Sequence, residues 1–328
     1  MKKHNVAIIG CGLIGEKRAK NLDTNSTLKW AIDASIDKAE VVADDFGSHA
    51  SNSYVDAIND TEVDIVIVAT PHNMLSEIAL AAINANKHVL VEKPGCSHIT
   101  ELCRMQLALE NSKSVVQVGF NHRYHLLIKK AKDLLDANVV GELMMIRGEY
   151  GHGGRIGYEK EWRMNPAVSG GGELIDKGSH LIDLANWFIG SPTYVEYADL
   201  QKLFWNAPSE DNAVLYLRSN KIKALLHASS TQWRNKFAFE LWCTKGKLVV
   251  EGLGGSYGTE KLTMYKMDSV KMGIPEITTW EHAGADLSWR FEWQDFISNI
   301  EANRAPMNSL YSANDVWNVI QECYDRNP

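Results

Sequence analysis

One stretch near the amino terminus constrains this chain more than any other. An almost wholly apolar run, Asn5–Ile9, enters Gly10-Cys11-Gly12-Leu13-Ile14-Gly15, and a helical pattern over 14–22 follows it. Unbroken apolar strands belong in parallel sheets buried on both faces. Between a strand and a helix, the G-x-G-x-x-G spacing has a mechanical meaning. Gly10 permits the tight turn, Gly12 lets a pyrophosphate approach the backbone, and Gly15 packs the helix on the strand. The free N–H groups of the first helical turn, around Leu13 and Ile14, then face the anion. A second apolar run, Leu28–Ile32, ends at Asp33, 18 residues after Gly15. A carboxylate there accepts from the adenosine ribose hydroxyls and repels a 2′-phosphate. The pattern predicts a dinucleotide site that prefers NAD to NADP. The competing reading of Asp33 is a cap for the next helix.

The alternation continues. Strand runs Val63–Ala69, His88–Val91 and Val115–Val118 are separated by amphipathic segments over 38–46, 75–85 and 99–111. This reads as a doubly wound α/β domain. Ligands in open α/β sheets lie beyond the carboxyl ends of strands. That rule singles out Thr70 and His72 after one strand, and Glu92 and Lys93 after another. A plain turn and helix cap is the competing reading of His72.

The texture changes near residue 121. A helix is predicted over 124–136, a strand over 143–150 and a long helix over 172–188. Strand runs follow at Tyr194–Phe204, Ala213–Leu217, Ile222–Ser229, Phe237–Cys243, Lys247–Glu251 and Leu262–Lys266. Two helices, over 289–303 and 310–325, close the chain. Consecutive strands joined by short polar turns predict a largely antiparallel sheet. The expected domains are 1–121 and 122–328, in keeping with a length of 328 residues. Nine of the ten tryptophans lie beyond residue 161, and they are expected in core and interface.

Composition narrows the function classes. The net charge of −7 and the lack of a basic stripe argue against nucleic acid. Five cysteines without a C-x-x-C pair argue against zinc and a disulfide framework, and fit a cytoplasmic setting. No metal site is predicted. No apolar run reaches the ~18–20 residues of a membrane span. The basic start followed by Cys11 imitates a secretion signal, but its apolar core is too short.

Two further places carry chemistry. Lys93, fixed by Pro94, can aim an ammonium at a substrate oxygen and stabilise a developing alkoxide. An ordinary solvated lysine is the competing reading. In the long segment after Gly170-Gly171-Gly172, helical spacing puts Glu173, Asp176, His180 and Asp183 on one line. Asp176 beside His180 makes a competent general base, since the carboxylate orients the imidazole and stabilises its cation. A capped, solvated face is the alternative.

Together, G-x-G-x-x-G, Glu92-Lys93-Pro94, the glycine triplet and Asp176-x-x-x-His180-x-x-Asp183 resemble the Gfo/Idh/MocA oxidoreductases. The resemblance implies an α/β fold: an N-terminal Rossmann domain with a doubly wound parallel sheet, plus a C-terminal α+β domain with an open, mostly antiparallel sheet. It implies a homodimer or homotetramer assembled through that sheet. Lys93, Asp176 and His180 become the catalytic residues, with His180 taking the hydroxyl proton and Lys93 touching substrate and cofactor. It also implies a cis Lys93–Pro94 bond, places Asn121 near the nicotinamide and places Arg123 near the substrate. Leu126 stands where relatives often carry proline, which leaves the next helix start open.

The segment 152–163 mixes glycines with His152, Arg155, Tyr158, Trp162 and Arg163. Aromatics stack on sugar rings and arginine grips phosphate or carboxylate, so these are candidate substrate residues. A surface loop anchored by a tryptophan is the competing reading. The resulting expectation is an NAD-dependent dehydrogenase or reductase. Its substrate is a secondary alcohol of a sugar, amino sugar, sugar nucleotide or cyclitol. The rivals are an NAD-dependent glycoside hydrolase and a non-enzymatic NAD-responsive regulator.

Overall fold

The computed structural model describes residues 3–267 and 273–327. The chain forms two compact units: Met1–Phe120 with Trp289–Asn314, and Asn121–Ser288 with Asp315–Pro328. Residues 289–314, placed with the second domain on sequence grounds, therefore pack with the first unit. Among the described residues, no helix is long and apolar enough to cross a membrane.

The first unit is built on six parallel strands: β1 (His4–Ile9), β2 (Ser26–Ile32), β3 (His49–Ser51), β4 (Ile65–Val68), β5 (His88–Glu92) and β6 (Val116–Gly119). Their order is β3-β2-β1-β4-β5-β6. The order reverses between β1 and β4, and such a switch point opens a crevice at the strand ends. Val6, Ile8, Ile65, Ile67 and Leu90 have no exposed surface, as the apolar runs require. Trp293 and Phe296 join that core from the helix Ser288–Glu301. Tryptophan therefore does not follow the second unit alone. Strand β3 and the short helix Tyr54–Asn59 were not anticipated. His49-Ala50-Ser51 is a three-residue edge strand with no apolar pattern to reveal it.

Among its described residues the second unit carries eight strands: β7 (Leu143–Gly151), β8 (Tyr194–Gln201), β9 (Asn212–Ser219), β10 (Ile222–Ser229), β11 (Lys236–Cys243), β12 (Gly246–Glu251), β13 (Glu260–Lys266) and β14 (Glu276–His282). Their order is β14-β13-β12-β11-β7-β10-β9-β8. Among the described residues, only β7 and β10 run parallel; every other pair is antiparallel. In β11, Phe237, Phe239, Leu241 and Cys243 are buried in alternation, so one sheet face builds the core. Helix Ser179–Ile189 covers it with Leu181, Ile182, Leu184 and Ala185, all fully buried.

Two helix expectations need correction. The helix expected from residue 124 starts at Leu126, after a 3-10 turn over Asn121–Tyr124. The segment 172–188 is helical as expected from Glu173 on, but not α throughout. Leu174–Gly178 forms a wide π turn, and the α-helix begins at Ser179. The buried Glu210 carboxylate accepts N–H bonds from both Gly172 and Leu174, so side-chain bonding competes with regular helix at its start. The glycine triplet is a matter of space. A Cβ on Gly172 would lie 2.0 Å from the Glu210 carbonyl oxygen, and one on Gly171 would lie 1.9 Å from the Tyr324 hydroxyl.

Candidate functional site

In the first unit, the glycines of the turn have distinct duties. Gly10 has φ +100°, and its N–H donates to the Ile32 carbonyl at 2.7 Å. A Cβ on Gly15 would sit 1.8 Å from the Gly10 oxygen, so helix and turn are in direct backbone contact. A Cβ on Gly12 would meet no described atom within 4 Å. That open space lies at the N-terminus of helix Leu13–Lys20, whose first N–H groups point outward. Gly12 and Leu13 are exposed and Ile14 is half-buried.

Asp33 braces this turn. Its Oδ2 accepts from the Cys11 N–H at 2.9 Å and its Oδ1 accepts from the Ser35 N–H at 3.0 Å. Ser35, not Asp33, is the N-cap of the following helix. Each Asp33 oxygen keeps acceptor capacity for a ribose hydroxyl. Burial and the Asp33 charge push the Cys11 thiol up to about 12, so it stays protonated and inert. The Thr70 hydroxyl is buried with no hydrogen-bond partner among the described residues. An open glycine turn, a carboxylate at the second strand end and an orphaned hydroxyl at the fourth fit a dinucleotide. His72 is buried at the first position of helix His72–Asn84, after the N-cap Pro71.

Glu92, expected at the cofactor, is held within the chain by an ion pair. Its carboxylate accepts from Arg18 Nε at 2.7 Å, while Arg18 also grips Glu292 at 2.5 Å. Asn308 donates to both Glu292 and the Val118 carbonyl. Burial works against the Arg18 charge, but Glu292 and Glu92 outweigh it and hold its pKa high. This network, which sequence spacing could not reveal, ties the helix after the turn to the strand end that carries Lys93. Lys93 is half-buried, and its bond to Pro94 is cis.

In the second unit, a buried polar and aromatic cluster forms around the π turn. The His180 imidazole stacks on His122, with ring centroids 3.7 Å apart and planes 9° apart. Tyr150 meets both rings edge-on. Asp176 Oδ2 accepts from Lys177 Nζ at 2.7 Å, and Glu173 Oε2 lies 3.8 Å from the same ammonium. Glu173 Oε1 accepts from the buried Tyr158 hydroxyl at 2.6 Å. His152 Nδ1 accepts from the Gly154 N–H at 2.8 Å, which assigns the ring proton to Nε2, 3.4 Å from the Tyr158 oxygen. Burial and the nearby Lys177 charge lower the His152 pKa to about 3, so the ring is neutral. These side chains do not form a solvated face: Glu173, His180 and Asp183 are all buried.

The arginines expected at a substrate have partners on their own chain. Arg123 is 4 % exposed and holds the fully buried Asp183 through Nε at 2.8 Å and through Nη2. Burial lifts the Asp183 carboxyl above its usual range against the pull of Arg123. Arg155 is exposed and pairs with Glu161 at 2.6 Å. Arg163 stacks over the Trp162 ring and lies 3.8 Å from Asp176. Asn121 donates to the Ser288 hydroxyl at 3.0 Å.

Four cluster members escaped the sequence: Lys177, His122, Tyr150 and Tyr257, whose ring lies 5.0 Å from Tyr150. Lys177 is next to Asp176 in the chain, and neighbours one apart do not face each other on an α-helix. Only the wide turn shows the pairing. The rings arrive from the segment after β6, from β7 and from the loop before β13, a long-range assembly with no local pattern.

Comparison with known proteins shows the family and the fold. Residues 4–120 match the model of an oxidoreductase family with an NAD-binding Rossmann fold, and residues 128–249 match the GFO/IDH/MocA C-terminal domain. Inositol 2-dehydrogenase of Salmonella typhimurium strain LT2 is 24% identical over 311 residues, covering 91% of this chain and 86% of that protein. Glucose-6-phosphate 3-dehydrogenase of Bacillus subtilis strain 168 is 30% identical over 220 residues, covering 66% and 61%. A levoglucosan dehydrogenase solved with NADH and levoglucosan superposes with a TM-score of 0.88 at 20% identity, covering 99% of this chain and 98% of that one. Turn, strand order and both matched domains lead to one assignment: the chain belongs to the Gfo/Idh/MocA family of NAD-binding oxidoreductases.

Proposed function

We propose that this protein interconverts a secondary alcohol and a ketone on a neutral ring polyol, a sugar or a cyclitol. In this reading His180 accepts the hydroxyl proton, Asp176 orients the imidazole and Lys93 polarises the reacting oxygen. Bound NAD supplies the hydride acceptor, or as NADH the donor, and that chemistry belongs to the cofactor. The glycine turn would hold its pyrophosphate, with Asp33 on the adenosine ribose and Thr70 beside the dinucleotide.

One observation carries the proposal: the His180 imidazole is held flat against His122 within a buried cluster of acids, hydroxyls and a cation. Stacking fixes the ring plane, so a single nitrogen can be presented to a hydroxyl. His152, half-buried beside the Tyr158–Glu173 pair, supplies a ring N–H suited to a further hydroxyl of a polyol. Neutral substrate is favoured over phosphorylated or nucleotide-linked sugar because Arg123, Arg155 and Arg163 each face a carboxylate of the chain. An anion would have to displace those partners.

The test is NADH formation at 340 nm with inositols, anhydrosugars, free hexoses and their phosphates, comparing wild type with Lys93→Ala and His180→Ala. Turnover on a neutral polyol that falls at least about 100-fold in both variants supports the mechanism. Unchanged turnover in either variant refutes it, and activity on phosphates alone refutes the neutral-substrate reading. Exposed Tyr194, Tyr197 and Trp242 on the sheet strands support self-association through the second unit. Light scattering showing a monomer at micromolar concentration would exclude that association.

A further inference from the structure

Lys177 has no part in the proton transfer described above, yet it sits at the centre of the cluster. Its side chain is 8% exposed and its Nζ donates to Asp176 Oδ2 at 2.7 Å. The second carboxylate, Glu173, lies 3.8 Å away, and the Tyr150 ring faces the ammonium at 5.5 Å. Tyr158, Tyr257 and His152 surround the same charge, and Arg163 approaches Asp176 from the 3-10 turn at 3.8 Å.

A buried ammonium costs several kcal/mol unless it is paired. Lys177 is paired twice, with two carboxylates that would otherwise repel each other and resist ionisation. Burial works to lower the lysine's pKa, but Asp176 and Glu173 outweigh burial and raise it. The group therefore stays a cation, which makes it unsuited to act as a base. Its charge is also already neutralised, so it offers little to a substrate anion. What remains is its grip on Asp176, the residue assigned to orient His180.

We propose that Lys177 is a positioning residue, which holds the Asp176 carboxylate in place and so sets the pH at which His180 works as a base. This rests on the reading of Asp176 and His180 given above. The π turn is what makes it geometrically available, since it brings adjacent side chains together. Local widening of a helix at a working site is a recognised pattern.

The direction of the effect follows from charge. Removing the cation leaves the imidazole in a more negative surrounding, which favours its protonated form. In polyol oxidation the base must be neutral. The acidic limb of kcat/KM against pH therefore moves to higher pH when Lys177 is neutralised.

The experiment is the pH profile of polyol oxidation for wild type, Lys177→Met, Lys177→Arg and the charge-balanced Glu173→Gln/Lys177→Met, with thermal melts on each. The double variant guards against a single variant that fails to fold. The expected result is a limb shifted up by about one pH unit in Lys177→Met and close to wild type in the charge-balanced double variant and in Lys177→Arg, with kcat still reduced more than KM is raised in the double variant because Asp176 lacks its partner there too. An unshifted limb in folded Lys177→Met overturns the proposal, as does full kcat in the folded double variant, or a rise in KM alone, which would place Lys177 on the substrate. His180→Ala, run alongside, separates the two readings. If it keeps full turnover, the proposed function fails; if it is inactive while the Lys177 profiles are unshifted, only the role of Lys177 fails.

Discussion

Two alanine substitutions three residues apart, at Gly12 and Gly15, should fail in opposite ways. At Gly12 the backbone is extended, with φ −79° and ψ −170°, and an added Cβ meets no described atom within 4 Å. Alanine fits that conformation and restricts the unfolded chain, which stabilises by about 0.4–1 kcal/mol. Alanine is also a poorer N-cap than glycine by a similar amount. The two effects offset, so Gly12→Ala should melt close to wild type. The same methyl occupies the space through which a pyrophosphate reaches the backbone. Losing one charge-assisted N–H bond there costs about 1.5–3 kcal/mol, or roughly 10- to 150-fold in NAD affinity. Gly15→Ala faces the reverse situation, because its Cβ would lie 1.8 Å from the Gly10 oxygen. Relief needs a backbone shift of roughly 1.5 Å, and overpacking of this kind costs about 1–3 kcal/mol or more. For a domain of this size that lowers the melting temperature by about 2–12 °C. Calorimetric titration with NAD and thermal unfolding, run on both variants, separate the effects. Unchanged NAD affinity in Gly12→Ala would refute the placement of the pyrophosphate, and a wild-type melt for Gly15→Ala would refute the packing argument.

Other expectations follow from the same geometry. Arg18→Met leaves Glu92 and Glu292 buried without their cation and should cost about 3–5 kcal/mol in urea unfolding; adding Glu92→Gln and Glu292→Gln should recover most of it, and failure to recover would count against the ion network. Asp33→Ser removes the charge that repels a 2′-phosphate, so NADP affinity should rise relative to NAD by about 10-fold, or about 1.4 kcal/mol; a constant ratio measured by titration would move the specificity elsewhere. His152 is held neutral in the fold, with a pKa of about 3 against an ordinary 6.5. The unfolded chain therefore binds a proton that the fold refuses between those values, and stability falls as pH drops from about 6.5 toward 3, by at most about 1.4 kcal/mol per pH unit. His152→Gln should flatten that part of the stability profile, measured by denaturant unfolding across the window; an unchanged slope would contradict the burial of a neutral ring.

Much of the first unit was legible because its determinants are local. A strand buried on both faces must be apolar throughout, and a phosphate turn must have glycine where the backbone approaches itself or a ligand. Val6 to Gly15 states both demands within ten residues. Asp33 was readable for the same reason, since it falls where its strand ends. The polar edge strand His49–Ser51 was not, because it buries no continuous face.

The amino-acid sequence by itself determined the Rossmann unit, the turn that suits NAD and the presence of Lys93, Asp176 and His180 as chemically able side chains. Tertiary structure alone decided their surroundings. It spent Arg123 on Asp183 and Glu92 on Arg18, returned residues 289–314 to the first unit, and widened the turn that presents Lys177 to Asp176. The reason is physical. Helix and strand periodicities report which face of one element is buried. Ion pairs between residues tens to hundreds of positions apart depend on which elements pack together, and no spacing within a single element records that.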